Sequence, residues 1–275
     1  MTHLQSILRR LHPDSDQWTG NLAEPALEIA TIQYPGLNPK PFLTELDAWG
    51  EELRQRTQGL TGRSRLQEIC SYLFDKLRFT GNDEAYYDPR NSCLNQVMER
   101  RTGIPITLTL VYLEVCRRAG IPAFGIGMPG HFLAEYDDGI FQSYLDPFEG
   151  GRLLNAADCL EVVRRRAGIP EPCLELLERA KLRQILIRML FNLRGIYSKG
   201  ADWQRACRVL DLLIEADPAD GGGWRQRGAV LLALGRLKEA QRDLEQYLLI
   251  TGGAEDRGLV ERQIRLIQKQ KATTN

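Results

Sequence analysis

The chain is poor in the groups that most catalytic and metal chemistry needs. It has three histidines in 275 residues, at positions 3, 12 and 131. Beyond the first dozen residues, imidazole chemistry therefore rests on His131 alone. The six cysteines (70, 93, 116, 159, 173 and 207) are scattered, and no two form a C-x-x-C pair. That removes the usual dithiol and zinc arrangements, so no metal and no cofactor is expected. No apolar run approaches the ~18 residues of a membrane span. The stretch Ala229–Leu234 is among the longest. Met1–Arg10 lacks the ~7–15-residue apolar core of a secretory signal. Most of the cysteines sit in helix-like apolar patterns, which suits buried, reduced thiols and a cytoplasmic location.

Net charge is missing as well. Lys and Arg total 36, as do Asp and Glu. No chain-wide basic field, basic stripe or helix-turn-helix pattern is present to take nucleic acid. The balance is local rather than uniform. Residues 1–160 carry 15 basic and 21 acidic side chains, and residues 161–275 carry 21 and 15. Opposite signs in the two halves point to two domains. With 43% hydrophobic residues, each can bury a core.

The stretch LQSILRRL at 4–11 fits a short amphipathic helix. Residues 21–56 read as two helices split by the turn Tyr34–Pro39, where proline and glycine punctuate the chain. Arg65–Leu77 repeats a helical apolar spacing. A polar segment follows, and Asn91 is placed to cap a helix running to about Arg101. Pro105–Ala119 is apolar nearly all round, the pattern of a helix buried on every side. Its proline suits the first turn, where a missing N–H costs nothing. After Gly120 the period changes from 3.6 to 2. Ala123–Met128, His131–Tyr136 and Ile140–Leu145 read as strands, with Asp137-Asp138-Gly139 as a hairpin turn. Asn155 caps a helix to about Arg166, and residues 167–186 are expected to form a joining helix.

From residue 174 onward the pattern is helical only, with a 34-residue period. Leu190 matches Trp224, Tyr197 matches Leu231, Ala206 matches Ala240 and Leu210 matches Leu244. The spacing Trp224, Gly228, Gly235, Ala240 resembles a tetratricopeptide repeat, and Leu259–Lys269 a terminal capping helix. The expected domains are therefore 1–173 and 174–275. The fold class is α+β, followed by an all-α repeat module.

The candidate chemistry lies between residues 91 and 152. His131 opens a strand and Asp146 ends its neighbour, so the carboxylate can orient the imidazole as in a nucleophile–base–orienter triad. The segments NSCLNQVMERRTGIPITLTLVYLEV, PGHFLAEY and LDPFEGGRLL, with the appended repeats, resemble the SirB-type transglutaminase-like family. That resemblance implies a papain-related fold, with a catalytic cysteine heading the central helix and His and Asp on the following strands. Counted back from Gly120, the cysteine's place falls on Pro105. Cys116 lies about 16 Å further along the helix. Thr107 and Cys93 are the substitutes in reach of the sequence. Asn91, Asn95, Glu99, Arg101, Pro105 and Gly130 are candidate ligand contacts around the electropositive helix start. Two functions follow as expectations. One is a non-catalytic protein- or peptide-binding module, its repeats taking a peptide that the basic half would prefer acidic. The other is a peptide or amide hydrolase, or acyl-transferase, with His131–Asp146 and a non-standard nucleophile.

Overall fold

The computed structural model describes residues 21–253 and 255–274. The helix expected over 4–11 lies outside them. The chain divides into two compact units, the first ending at Met189 and the second beginning at Leu190.

The first unit opens with α1 (Ala23–Ala30) and α2 (Lys40–Arg56), separated by the expected proline–glycine turn. Next comes α3 (Gly62–Cys70), which widens into a π-helical turn over Ser71–Lys76. Two-residue strands β1 (Thr80–Gly81) and β2 (Thr102–Gly103) pair in parallel. Between them sit a 3-10 turn (Pro89–Ser92) and α4 (Leu94–Arg100). The central helix α5 is Pro105–Ala119. It starts with Pro105 in its first turn, where the Ile104 N–H donates to Thr107 Oγ1 at 3.1 Å. It ends at Gly120, whose φ of +72° turns the chain while Ile121 N–H closes onto Cys116 O. Leu110, Val111, Tyr112, Val115 and Cys116 are all buried, as the unbroken apolar pattern requires. Truncating Leu110 to alanine would cost about 2–5 kcal/mol.

Four antiparallel strands follow, in the order β3 (Ala123–Met128), β4 (His131–Asp137), β5 (Gln142–Asp146) and β6 (Arg152–Leu154). Then comes α6 (Ala156–Ala167), capped by Asn155, whose side chain accepts from Asp158 N–H. Strand β4 is buried from His131 to Tyr136 because α5 and α6 both pack on it. Leu133 joins Ile126, Met128, Leu154, Cys159 and Val163 in one apolar cluster.

Three expectations change. The third strand begins at Gln142 rather than Ile140. The Asp138 carboxylate accepts the amides of Ile140 and Phe141, holding them in the turn with Ile140 exposed. Residues 168–181 are not a joining helix. Gly168, at φ +68°, stops α6, and Pro170 and Pro172 keep the chain extended into a 3-10 turn (Leu174–Leu177). Arg179 then bridges to Ile126, and Ala180 N–H donates to Gly125 O at 2.7 Å, on the open edge of β3. Helix α7 (Leu182–Lys199) starts only after this, and its Ile185, Leu186 and Met189 are buried. Those buried residues are why the first unit runs past the expected boundary at 173/174, to Met189.

The second unit continues with α8 (Trp203–Ala216), α9 (Gly221–Ala233), α10 (Leu237–Thr251) and α11 (Arg257–Thr274). Small residues mark the helix contacts. Ala206 and Ala240 are fully buried, and a Cβ on Gly228 would lie 2.9 Å from Leu244. Of the two glycines at the inter-helix turns, Gly235 takes positive φ, whereas beside Gly200 it is Ala201 that does so, at +54°.

Candidate functional site

The antiparallel register brings the start of β4 and the end of β5 to the same edge of the sheet. His131 and Asp146 therefore meet. His131 Nε2 and Asp146 Oδ2 are 2.7 Å apart, and both side chains are buried. Asp146 is itself fixed, because its Oδ1 accepts Phe148 N–H at 3.0 Å. The carboxylate accepts at Oδ2, which assigns a proton to His131 Nε2. The other ring nitrogen, Nδ1, is buried and has no hydrogen-bond partner. In a nucleophile–base–orienter arrangement, this nitrogen is the one that faces the nucleophile.

Phe148 gathers the surroundings. It meets the edges of His131 and Tyr86, each with ring centres 6.1 Å apart, and Arg166 lies over it at 5.9 Å. Burial pushes the Tyr86 phenol up, while Arg166 and Arg188 pull it down. Gly130, at φ +74°, shapes the tight turn before His131, and a Cβ there would press on Arg166 at 3.1 Å.

The substitutes for a nucleophile lie elsewhere in the bonding pattern. Thr107 Oγ1 faces Asn91 O at 2.8 Å and Ile104 O at 3.1 Å, and it accepts Ile104 N–H. Its hydroxyl is committed to the start of α5. Cys93 is buried at the N-cap of α4. Since His131 Nδ1 has no partner, neither group is hydrogen-bonded to it. Cys159 is the thiol whose titration Asp146 touches. Burial, then Asp158 and Asp146, push it up to about 12, so it stays protonated at neutral pH.

The expected ligand contacts divide sharply. Asn91 does not cap α4. It sits in the preceding 3-10 turn, because Cys93 holds the extended N-cap conformation. Its amide donates to Ala85 O at 2.7 Å and its Oδ1 accepts from Asn82 and Arg100, which pins the polar loop 82–90. Asn95 is buried with Oδ1 unpartnered. Glu99 is exposed and accepts from Gln96. Arg101 stacks over Trp49 at 4.4 Å and donates to Glu45 at 2.8 Å, so it binds α2 to the start of β2. Pro105 is buried at the head of α5. Sequence reasoning missed Phe148, the buried Ser92 hydroxyl, which has no partner, and Arg188. The serine stands in the NSC segment already singled out. Arg188 lies in the region expected to be a repeat, where nothing signalled it.

A family model described as the transglutaminase-like superfamily matches residues 40–191, and a tetratricopeptide-repeat model matches 193–265. The chain is 40% identical over 240 residues to a UPF0162 protein of Xylella fastidiosa, covering 85% of each. It is 32% identical over 235 residues to a UPF0162 protein of Pseudomonas aeruginosa, covering 84% of each. A mouse protein, F-box only protein 21, matches at 38% over 106 residues, which is 35% of this chain and 17% of that one. No solved structure matches.

Proposed function

The chain belongs to the transglutaminase-like superfamily, in the SirB-type group of UPF0162 proteins, and on that premise we propose that it is a non-catalytic member acting through protein contacts. The observation that carries this reading is the buried, unpartnered Nδ1 of His131. The base and its orienting carboxylate are kept, but the nitrogen that should activate a nucleophile has nothing to activate. Pro105, which has neither thiol nor N–H, heads the helix that the family's cysteine would head. A His–Asp pair of this kind serves as an internal brace between β4 and β5.

Tetratricopeptide repeats mediate protein–protein contacts, and the second unit supplies a cleft of about 340 Å³ for one. Trp224, Arg227, Arg236 and Arg242 line it, together with Asp211 and Asp243. Arg227 is taken up by the two aspartates and Arg236 by Glu239. Arg242 is the cation that favours an acidic peptide. No helix among the described residues is long and apolar enough to cross a membrane. The six cysteines are free thiols, which supports a cytoplasmic location.

Thiol-directed and acyl-transfer probes, read by mass spectrometry on the full chain, test the non-catalytic reading. The expected result is no cysteine or threonine label that depends on His131. His131-dependent labelling of Cys93 or Thr107 would overturn it in favour of a hydrolase or acyl-transferase. For the repeats, an Asp/Glu-rich decapeptide should bind the full chain more weakly after Arg242→Glu. Equal binding would remove the acidic preference.

A further inference from the structure

A second cleft lies in the first unit, beside the turn that delivers His131. Its volume is about 440 Å³, far more than a lone ion needs, and Met128, Pro129, Phe132 and Leu176 give it apolar walls. Arg188 enters it from α7. The guanidinium is held on three sides. Nη1 donates to Met128 O at 2.9 Å, Nη2 donates to His131 O at 2.8 Å, and Cζ lies 5.3 Å from the centre of the Phe132 ring. Two of its five N–H groups are thereby used, leaving three.

What Arg188 lacks is a counter-charge. It pairs with no carboxylate among the described residues, and burial pulls its titration down, with only the Tyr86 phenol opposing. Partly buried guanidinium groups are normally paired. Arg179, in the same cleft, shows the normal case, bonded to Glu135 at 2.6 Å and Asp137 at 2.7 Å. Glu175 and Glu178 also line the cleft, but both are exposed to solvent screening and neither acts on Arg188.

We propose that this cleft is a receptor for a peptide carboxylate, with Arg188 as its preorganised anchor. Guanidinium is the side chain best shaped for a carboxylate, and one already held in place loses little freedom on binding. The volume and apolar walls of the cleft favour a peptide over a simple anion. The chain's own Arg179–Ala180 pairs along β3 as a short strand and lines the same cleft. Beside it, a Cβ on Gly127 would stand 3.3 Å from the Phe132 ring, 3.5 Å from Ala180 Cβ and 3.9 Å from Arg188 Nη1, so these side chains form the wall of the cleft at that point. This deepens the protein-contact reading by naming what the first unit would grip, and it rests on that reading. Its failure would be distinct, since the probe labelling above does not involve Arg188.

The test uses the full chain, labelled with ¹⁵N. The probes are acetyl-trialanine with a free carboxylate, its C-terminal amide, sodium acetate and inorganic phosphate. The free acid should shift the Gly127 amide and the Arg188 Nε–H, and the amide should bind about tenfold more weakly. Arg188→Gln should weaken the acid about tenfold. Because Arg188 also holds two carbonyls, Gln184→Glu is the second variant. Gln184 is exposed on the rim, and its glutamate keeps the oxygen that accepts Lys181 N–H. The added charge should weaken acid binding about threefold with the fold unchanged. Equal affinity for acid and amide, no effect of either variant, or no shift at millimolar peptide would each overturn the proposal. Acetate or phosphate binding as tightly as the peptide would also overturn it, in favour of a simple-anion site.

Discussion

Replacing Asp146 by alanine should loosen the whole first unit, and the size of the effect follows from two bonds. The carboxylate accepts from His131 Nε2 at 2.7 Å and from Phe148 N–H at 3.0 Å, and all three groups are buried. Hydrogen bonds to a charged group are worth about 1.5–3 kcal/mol each. Losing both leaves two buried donors unpaired, and removing a buried charge offsets part of that cost. The expected net loss is about 3 kcal/mol, or about 150-fold in an equilibrium constant. Amide hydrogen exchange along β4 reads this quantity within the first unit, so the repeats cannot mask it. Asp146→Asn keeps the shape and an acceptor for Phe148, and should lose about half as much. His131→Leu with Asp146→Leu removes both partners and should lose less than Asp146→Leu alone. If alanine and asparagine prove equal, or the double variant equals the sum of the singles, the pair is not the brace described above.

In the second unit, Arg227→Ala should cost about 3–5 kcal/mol in the exchange protection of α9 and α10. It leaves Asp243 buried without the guanidinium that bonds it at 2.7 and 2.9 Å. Acid should attack the β4–β5 hairpin through Asp138. Bonds from Tyr136 and the amides of Gly62, Phe141 and Ile140 hold its carboxyl well below the usual range. A depressed folded-state pKa gives stability that is full above the unfolded value of ~3.9 and lost as pH falls toward the folded one. The acid limb of a urea-midpoint profile should therefore flatten in Asp138→Asn, and an unchanged limb would refute this. Thiol reagents at pH 8 should modify the exposed Cys173 first, ahead of Cys70 and Cys159, whose thiols burial pushes up to about 12. Glu175 accepts from the Cys173 thiol and raises its titration, so Glu175→Gln should speed that labelling.

Much of this architecture was legible because it follows from period and punctuation. An apolar surface all round Pro105–Ala119 leaves a helix no exposed face, and the structure buries it accordingly. The pairing of His131 with Asp146 followed from two strands joined by a hairpin turn. Less was visible where tertiary contact overrides local preference. Asn91 has the side chain of a helix cap, yet it bonds the loop before it, and Cys93 supplies the extended backbone instead. The π-turn at Ser71–Lys76 has the same apolar spacing as an α-helix, so no periodicity distinguishes it. Arg188 was invisible as a site residue because its partners are carbonyls about 60 positions away, and backbone oxygens carry no sequence signature.

The proline at the head of α5 has a wider consequence. A cysteine at that place would bring a thiol and its own backbone N–H, and helix-start amides are donors for a developing oxyanion. Proline removes both in one residue. A serine there would have left an enzyme with a poorer nucleophile and an intact anion cradle, one mild mutation from recovery. Pro105 supplies neither, while fitting the helix start well. On the non-catalytic reading, His131 and Asp146 are kept for what they do for each other.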